Sequence, residues 1–168
     1  MELIKEEGYW TSTYDKDFLE IPSSVSYEGS TYQVTSIGDS AFFACKDLKN
    51  IVIPRTIKSI HKAAFNNCHS LKDIIIPDSV TFIGEDAFVW CKSLEKITLP
   101  SALTNISDHT FYGCQSLSSI TIPEGVENIG KHAFNRCESL AKVTLPSALT
   151  NISDYAFYGC KSLTSVTI

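Results

Sequence analysis

The chain has 168 residues, of which 43 % are hydrophobic and 20 % are charged, and its 14 basic and 19 acidic side chains give a formal net charge of -5. A charge this small and negative gives no electrostatic reason to bind nucleic acid or an anionic membrane, and no apolar run reaches the roughly 18 residues of a membrane span. The composition excludes these classes of function. Residues 1–7 lack the basic and apolar segments of a secretory signal, so the sequence is either cytoplasmic or a mature fragment.

The six cysteines recur every 23 residues, and neither a disulfide framework nor a metal cluster has a reason to be spaced so evenly. An internal repeat requires such spacing, and proline, phenylalanine and leucine recur with the same period. The cysteine column consists of Cys45, Cys68, Cys91, Cys114, Cys137 and Cys160. The sequence therefore predicts six repeats of 23 residues over residues 31–168, preceded by a non-repetitive leader over residues 1–30.

Each repeat reads approximately P-x-x-V-x-x-I-G-x-x-A-F-x-x-C-x-S-L-x-x-I-x-I. In one such unit, the residues around Val80 and Ile83 are predicted to be extended. The apolar residues within Ala87–Leu94 have the spacing of one helix face, which predicts one or two helical turns. The segment Ile97–Leu99 alternates inward, outward and inward as a short strand does, and Pro100 ends it because proline has no N–H for the ladder.

A single 23-residue coil cannot bury its eight apolar positions by itself. The units must therefore stack, each covering the apolar face of its neighbour. Stacking places equivalent residues of successive units roughly 4.8 Å apart, so that each column becomes a ladder of similar side chains. This arrangement predicts a curved solenoid with a parallel sheet on its inner side and variable positions on the outer surface of the strands.

The repeat resembles the BspA-type (TpLRR) leucine-rich repeat, as the segment from Leu71 to Cys91 illustrates with L-x-x-I-x-I-P-x-x-V-x-x-I-G-x-x-A-F-x-x-C. The leader resembles the N-terminal cap of that family, with Leu19–Val25 and Tyr32–Gly38 as candidate capping strands joined by a Gly-containing turn. The resemblance implies an α/β repeat solenoid. Its expected form is a right-handed leucine-rich-repeat horseshoe with a parallel β-sheet on the concave face and short helical turns on the outer side.

The same resemblance implies a cell-surface or secreted bacterial protein, since the family is common on such proteins of gut and oral anaerobes. Its members are associated with adhesion to host matrix proteins and cells. The chain ends at Ile168, on a repeat boundary and without the polar repeat that shields the last apolar face. We therefore expect a fragment of a longer protein that lacks a C-terminal cap.

No cofactor, metal site or catalytic centre is predicted. The cysteine column could form disulfides, but parallel stacked side chains do not readily reach the disulfide dihedral, so reduced, structural thiols are expected. Asp86, His109 and His132 share a column that could bind a transition metal, but a third good ligand is not evident and a solvated row is expected. Since no Ser/His/Asp set, nucleophile elbow or phosphate-binding loop is present, an enzyme is not expected.

The outward face of the strands is the predicted interaction surface. Variable side chains on a rigid, extended surface make many weak contacts at a low ordering cost, which suits a protein partner. The candidate partner-binding residues are Val52, Asp73, Ile75, Lys96, Thr98, Ser119, Thr121, Lys142 and Thr144. Val52 and Ile75 are apolar where solvent is expected, so they are a docking patch, positions covered by the cap, or favourable β-branched surface residues.

The predicted function is a non-catalytic protein-interaction module, with adhesion to a host extracellular-matrix or cell-surface protein implied by the resemblance. Three alternatives stay open. A carbohydrate-recognition accessory domain would use exposed aromatic rings, and Trp90, Tyr112 and Tyr158 fall on the outer side of the coil. A structural spacer would use the repeats for reach alone, and an intracellular scaffold would have no signal peptide in the full-length protein.

Overall fold

The computed structural model of the protein describes residues 17–168, which form a parallel β-solenoid of about six turns. Three strands come first: β1 (Phe18–Glu20), β2 (Ser24–Tyr27) and β3 (Ser30–Gln33). Each coil then contributes a two-residue strand, namely β4 (Ser36–Ile37), β6 (Ser59–Ile60), β8 (Phe82–Ile83), β10 (Asn105–Ile106), β12 (Asn128–Ile129) and β14 (Asn151–Ile152). Each coil also contributes a three-residue strand, namely β5 (Asn50–Val52), β7 (Asp73–Ile75), β9 (Lys96–Thr98), β11 (Ser119–Thr121), β13 (Lys142–Thr144) and β15 (Ser165–Thr167).

Strands β2 and β3 form an antiparallel hairpin at the start of the solenoid. Glu28 and Gly29 make its turn, and both have positive φ (48° and 77°), as a two-residue hairpin turn with right-handed strand twist requires. The hairpin continues to Gln33, beyond the end of the leader expected over residues 1–30. Part of that leader, residues 1–16, lies outside the described residues, so its role as a separate cap stays a prediction.

The three-residue strands pair in parallel as the sheets β1-β5-β7-β9 and β11-β13-β15. Equivalent residues of successive repeats lie opposite each other in these sheets, as Ile74 and Ile97 do. From β5 to β11 the middle residue of each strand is buried and the two flanking residues are exposed. The strand predicted at Ile97–Leu99 is confirmed one residue earlier, at Lys96–Thr98, with the expected alternation.

The two-residue strands form a second set of parallel sheets, β4-β6-β8 and β10-β12-β14. Over the described residues, both sets of ladders are interrupted at the same level, between β8 and β10 and between β9 and β11. We call this level the seam. Hydrogen bonds between turns still cross it, since the N–H groups of Phe88 and Trp90 donate to the carbonyl oxygens of Thr110 and Tyr112 at 2.9 and 2.8 Å. The turns therefore connect the coils on both sides of the seam.

The expectation of an α/β fold with helical turns on the outer side is wrong, because residues 17–168 contain no helix. In the segment Ala87–Leu94, the N–H of Val89 donates only three residues back, to the carbonyl of Asp86 at 3.1 Å. The N–H of Trp90 donates to Tyr112 in the next coil, whereas beyond its first turn an α-helix bonds each N–H to the carbonyl four residues earlier. Asp86 and Trp90 also have φ of 59° and 56°, which interrupts a right-handed helix. The successive turns bury the same residue positions that one face of a helix would bury. The apolar residues of this segment therefore have the spacing of a helix although no helix forms.

One continuous hydrophobic core runs along the solenoid, built from ladders of equivalent side chains. The phenylalanine ladder extends from Phe42 to Phe157, with neighbouring ring centroids 5.2 to 5.6 Å apart and planes within 14° of parallel. Four of its rings are fully buried, at Phe65, Phe88, Phe111 and Phe134. Each of these rings packs on the rings above and below, so the core depends on contacts between coils.

All six cysteines are free thiols in the structure. From the second onward, each donates an Sγ hydrogen bond to the carbonyl oxygen of a phenylalanine 26 residues earlier, as Cys91 does to Phe65 at 3.2 Å. Burial raises the pKa of Cys91 from 9.0 to about 12 and that of Cys160 to about 11. The column is therefore held protonated and packs as small apolar side chains do.

The replacement Gly113→Ala is expected to lower the free energy of unfolding by about 2 to 3 kcal/mol. Gly113 has φ of 72°, and a Cβ there would overlap Cε3 of Trp90 and lie 2.8 Å from its Cδ2. Trp90 and Gly113 belong to coils on opposite sides of the seam, where the strand ladders are interrupted. Chemical denaturation of both proteins, monitored by circular dichroism, measures the difference.

The matched control is Gly159→Ala. Gly159 has nearly the same φ, 75°, but the nearest side-chain atom to a Cβ there is Cγ of Arg136 at 3.5 Å, an ordinary contact. This variant keeps only the backbone cost, about 1 kcal/mol. Equal losses in the two variants would show that the Trp90 contact is not the cause.

Candidate interaction surface

The three-residue strands turn two columns of side chains outward, and we call this surface the strand face. Its first column is Phe18, Asn50, Asp73, Lys96, Ser119, Lys142 and Ser165. Its second column is Glu20, Val52, Ile75, Thr98, Thr121, Thr144 and Thr167. All nine predicted partner-binding residues lie in these columns, and all are exposed except Thr144, which is half-buried. Their role in binding stays a prediction.

Three apolar side chains of the strand face are exposed at its N-terminal end, and we call them the apolar patch. The exposed fractions are 51 % for Phe18, 45 % for Val52 and 71 % for Ile75. Glu20 lies opposite Val52 in the register, so the described part of the leader flanks this patch and does not cover it. A patch of exposed apolar side chains with a polar border is typical of a protein-binding site.

Charged residues border the patch on the side of the later coils. Asp73 and Lys96 lie opposite each other in the register of β7 and β9. Within residues 17–168, neither Asp73, Lys96 nor Lys142 forms an ion pair. These exposed charges therefore remain available for a partner, since pairing with one another at the surface would gain little.

Another side of each coil, formed by the turns between the two-residue and three-residue strands, carries a second group of side chains, and we call it the turn face. The rings of His109, His132 and Tyr155 stack along it, with centroids 5.0 and 5.1 Å apart. Nδ1 of His109 lies 4.0 Å from Oδ1 of Asp86. Among the described residues, no group of three or more His, Cys, Asp or Glu side chains is placed to hold a metal ion.

The three aromatic residues singled out on the outer side of the coil lie around one open pocket of about 430 Å³ on the turn face. Trp90 and Tyr112 make an edge-to-face contact, with ring centroids 5.3 Å apart and planes at 83°. Tyr158 is 62 % exposed. The lining also includes Asn135, a residue that the sequence did not single out.

Another open pocket, of about 460 Å³, runs beside the two-residue strands. Its carboxylates are used within the solenoid: Oδ1 of Asp39 accepts the backbone N–H of Lys62 at 3.0 Å, and Oδ1 of Asp108 accepts that of Lys131 at 2.7 Å. Nζ of Lys62 also binds Glu85 at 3.0 Å. These groups join neighbouring coils, so their arrangement is explained by the fold.

The stacked coils, the continuous core and the variable outward columns together define a leucine-rich-repeat solenoid. The model of the BspA type leucine rich repeat region matches residues 23–128, with six copies, and the chain belongs to this family. A comparison with curated proteins gives no significant match.

Solved structures agree with this assignment. The T. pallidum leucine rich repeat protein (TpLRR) is 32 % identical with a TM-score of 0.84, over 90 % of this chain and 69 % of that one. A leucine rich cell surface protein of Faecalibacterium prausnitzii A2-165 is 24 % identical with a TM-score of 0.58, over 90 % of this chain and 59 % of that one. The second likeness shows the fold alone.

Membership of this family indicates a protein-interaction module, since leucine-rich-repeat families are generally non-catalytic. Within residues 17–168, no helix has the length and hydrophobicity that crossing a membrane requires.

Proposed function

We propose that the chain binds a protein partner across the strand face, and that it serves adhesion to a host extracellular-matrix or cell-surface protein. The observation that carries this proposal is the apolar patch of Phe18, Val52 and Ile75, exposed beside unpaired charges on one parallel sheet. Most of the binding energy of a protein interface comes from a few apolar or aromatic anchors surrounded by polar groups. The strand face has this composition.

The rigidity of the sheet favours binding. Each outward side chain stands on a strand whose neighbours are bonded to it in parallel, so the backbone needs no ordering when a partner arrives. Loss of conformational freedom is one of the main costs of association, and a preformed surface reduces it. Threonine at positions such as Thr98 and Thr121 has few rotamers, which reduces the side-chain part of the same cost.

A location at the bacterial surface or outside the cell is part of the proposal. It is supported by the family and by the description of the F. prausnitzii relative as a cell surface protein. A spacer without a binding surface and an intracellular scaffold are the competing functions. A spacer requires no exposed apolar patch next to unpaired charges, whereas a scaffold would share this patch and differ from the proposal in its location.

The proposal predicts that Val52→Asp combined with Ile75→Asp weakens binding to immobilised extracellular-matrix proteins by at least about tenfold, the equivalent of about 1.4 kcal/mol. Both side chains are exposed, so the fold is expected to be retained. Surface plasmon resonance against a panel of purified matrix proteins, each with and without its glycans, measures the affinity. A further variant, Lys96→Glu, is expected to change the association rate, with a sign set by the charge of the partner.

Tyr158→Ala is the matched control, because it removes an exposed ring from the turn face and leaves the strand face intact. It is expected to bind deglycosylated matrix proteins as the wild type does. If the Val52 and Ile75 double variant binds with unchanged affinity, the strand face is not the binding surface. Absence of binding to every protein of the panel would contradict the adhesive role.

A further inference from the structure

We propose that the pocket on the turn face is a second binding site, which takes a carbohydrate, and that Asn135 and Tyr158 are its central residues. The site is separate from the strand face and does not depend on the function proposed for that surface. Four observations carry the proposal: an unpaired buried amide atom, the rings on either side of it, the volume of the pocket and its mixture of polar groups.

The amide of Asn135 is the most unusual group of the pocket. The residue is only 4 % exposed, and its Nδ2 lies 2.7 Å from Nδ1 of His132. Its Oδ1 is buried and has no hydrogen-bond partner among residues 17–168. If the amide is turned over, Nδ2 is left unpaired in place of Oδ1. Because buried polar groups are nearly always paired, this atom requires an explanation.

Another asparagine of the same column shows that the fold does not force an asparagine at this position to leave its amide oxygen unpaired. Asn66 lies three coils earlier, and its Oδ1 accepts a hydrogen bond from Nδ2 of Asn67 at 2.6 Å. Val89, two coils before Asn135, occupies the same position with an apolar side chain. The solenoid therefore accommodates valine at this position, so an asparagine with an unpaired atom is not needed for packing.

Aromatic rings lie on both sides of Asn135. Tyr112 is the equivalent residue of the preceding coil, and Tyr158 is that of the following coil. Tyr158 makes an edge contact with Tyr155, at a ring angle of 82°, and remains 62 % exposed. Since successive coils are roughly 4.8 Å apart, an elongated ligand lying along the solenoid can contact both tyrosines and the amide between them.

The pocket is an open groove with a volume in the range of small-ligand sites. Its volume of about 430 Å³ falls within the range of roughly 300 to 1,000 Å³ that such sites occupy. The polar groups of its lining include the guanidinium of Arg136, the imidazole of His109 and the carboxylate of Asp86. Donors, acceptors and aromatic surface therefore converge on one pocket.

A carbohydrate fits this combination better than other ligands. A pyranose ring offers C–H groups to an aromatic surface. Its hydroxyl groups both donate and accept, so a hydroxyl pairs with the Asn135 amide in either orientation once a small rotation of the side chain brings the buried atom to the pocket. A purely apolar ligand would leave the buried amide atom unpaired. A simple anion would be attracted by Arg136 but repelled by the carboxylate of Asp86, and it would leave the aromatic surface unused.

The test uses the full chain and four defined oligosaccharides: cellotetraose, chitotetraose, maltotetraose and 3′-sialyllactose. Saturation-transfer NMR titrations are expected to show saturable binding of at least one of them. The variants Asn135→Val and Tyr158→Ala are each expected to weaken that binding by about tenfold or more, because each removes one of the two central contacts. Asn135→Val is also expected to keep or raise the melting temperature, since it removes an unpaired buried atom.

Matched controls come from the same column, outside the pocket. Asn66→Val and Phe43→Ala make the same two changes in earlier coils, and both are expected to bind as the wild type does. The proposal is overturned if none of the four oligosaccharides binds saturably, or if Asn135→Val and Tyr158→Ala bind with wild-type affinity. Neither result affects the strand-face proposal, whose variants leave the turn face unchanged.

Discussion

Raising the pH from 8 to 10 is expected to lower the free energy of unfolding by about 5 kcal/mol, through the four fully buried thiols of the cysteine column. Burial, and to a lesser extent the neighbouring thiols, raises the pKa of Cys68, Cys114 and Cys137 well above the ordinary value of 9.0. Burial also raises the pKa of Cys91 to about 12. The folded protein therefore keeps these protons at pH 10, while the unfolded chain has lost most of them.

The sign follows from the raised pKa values. A thiol whose pKa is higher in the folded state stabilises the fold fully below pH 9, and this contribution is lost as the pH rises towards the folded value. Each buried thiol contributes a little over ~1 kcal/mol across this whole window of two pH units. Urea denaturation at pH 8, 9 and 10 in the presence of a reducing agent measures the slope.

Cys114→Ala isolates the contribution of one thiol. Its destabilisation relative to the wild type is expected to shrink by about 1 kcal/mol between pH 8 and pH 10, because the variant has one titrating group fewer. Ile120→Val is the control, since it also changes a buried side chain of the same repeat but removes no ionisable group. A wild-type stability that does not change between pH 8 and 10 would contradict the burial of the column.

Replacement of Phe111 by alanine is expected to lower the free energy of unfolding by about 3 to 5 kcal/mol. The ring is fully buried and stacks on Phe88 at 5.6 Å and on Phe134 at 5.3 Å. Its removal leaves a cavity between two coils that cannot close, since both neighbouring rings are held by their own coils. Chemical denaturation at pH 7 measures the loss.

Phe157→Ala is the control for this prediction. Phe157 ends the described ladder, is half-buried and stacks on one ring only, that of Phe134 at 5.2 Å. Its replacement is expected to cost at most about 2 kcal/mol, because less apolar surface is removed from the core. If both variants lose the same stability, the ladder is not the structural element that the stacking indicates.

Much of this architecture could be predicted from the sequence, because a repeat places equivalent residues in register. The period of 23 residues is sufficient to assign the columns, and the alternation around Ile97 correctly separates its buried side chain from the exposed Thr98. The placement of the nine candidate residues on one surface follows from the same register. Periodicity determines which side of the chain a residue faces.

The backbone conformation between the strands could not be obtained in this way. An apolar pattern at i, i+1, i+4 and i+7 is satisfied equally by a helix and by consecutive turns, and the difference lies in where the N–H groups donate. In the structure they alternate between their own coil and the next, as Val89 and Trp90 show. Whether Trp90 or Asp86 adopts positive φ depends on neighbouring coils, which a local pattern does not describe.

Sequence reasoning missed Phe18 and Asn135 because their importance also depends on the three-dimensional structure. Phe18 joins the strand face because β1 pairs with β5, and nothing in the non-repetitive leader indicates that pairing. Asn135 was overlooked because asparagine on a turn is ordinary. Its significance comes from burial and from the missing partner of Oδ1 among the described residues.

The measurement that tests the central proposal most directly is site-specific photo-cross-linking to a bound matrix protein. A benzophenone amino acid is placed at Thr98, in the middle of the strand face, and in a second protein at Phe82, an exposed residue of the two-residue strands. The proposal predicts a covalent adduct from position 98 and none from position 82. Cross-linking from position 82 alone would show that the partner binds another side of the solenoid.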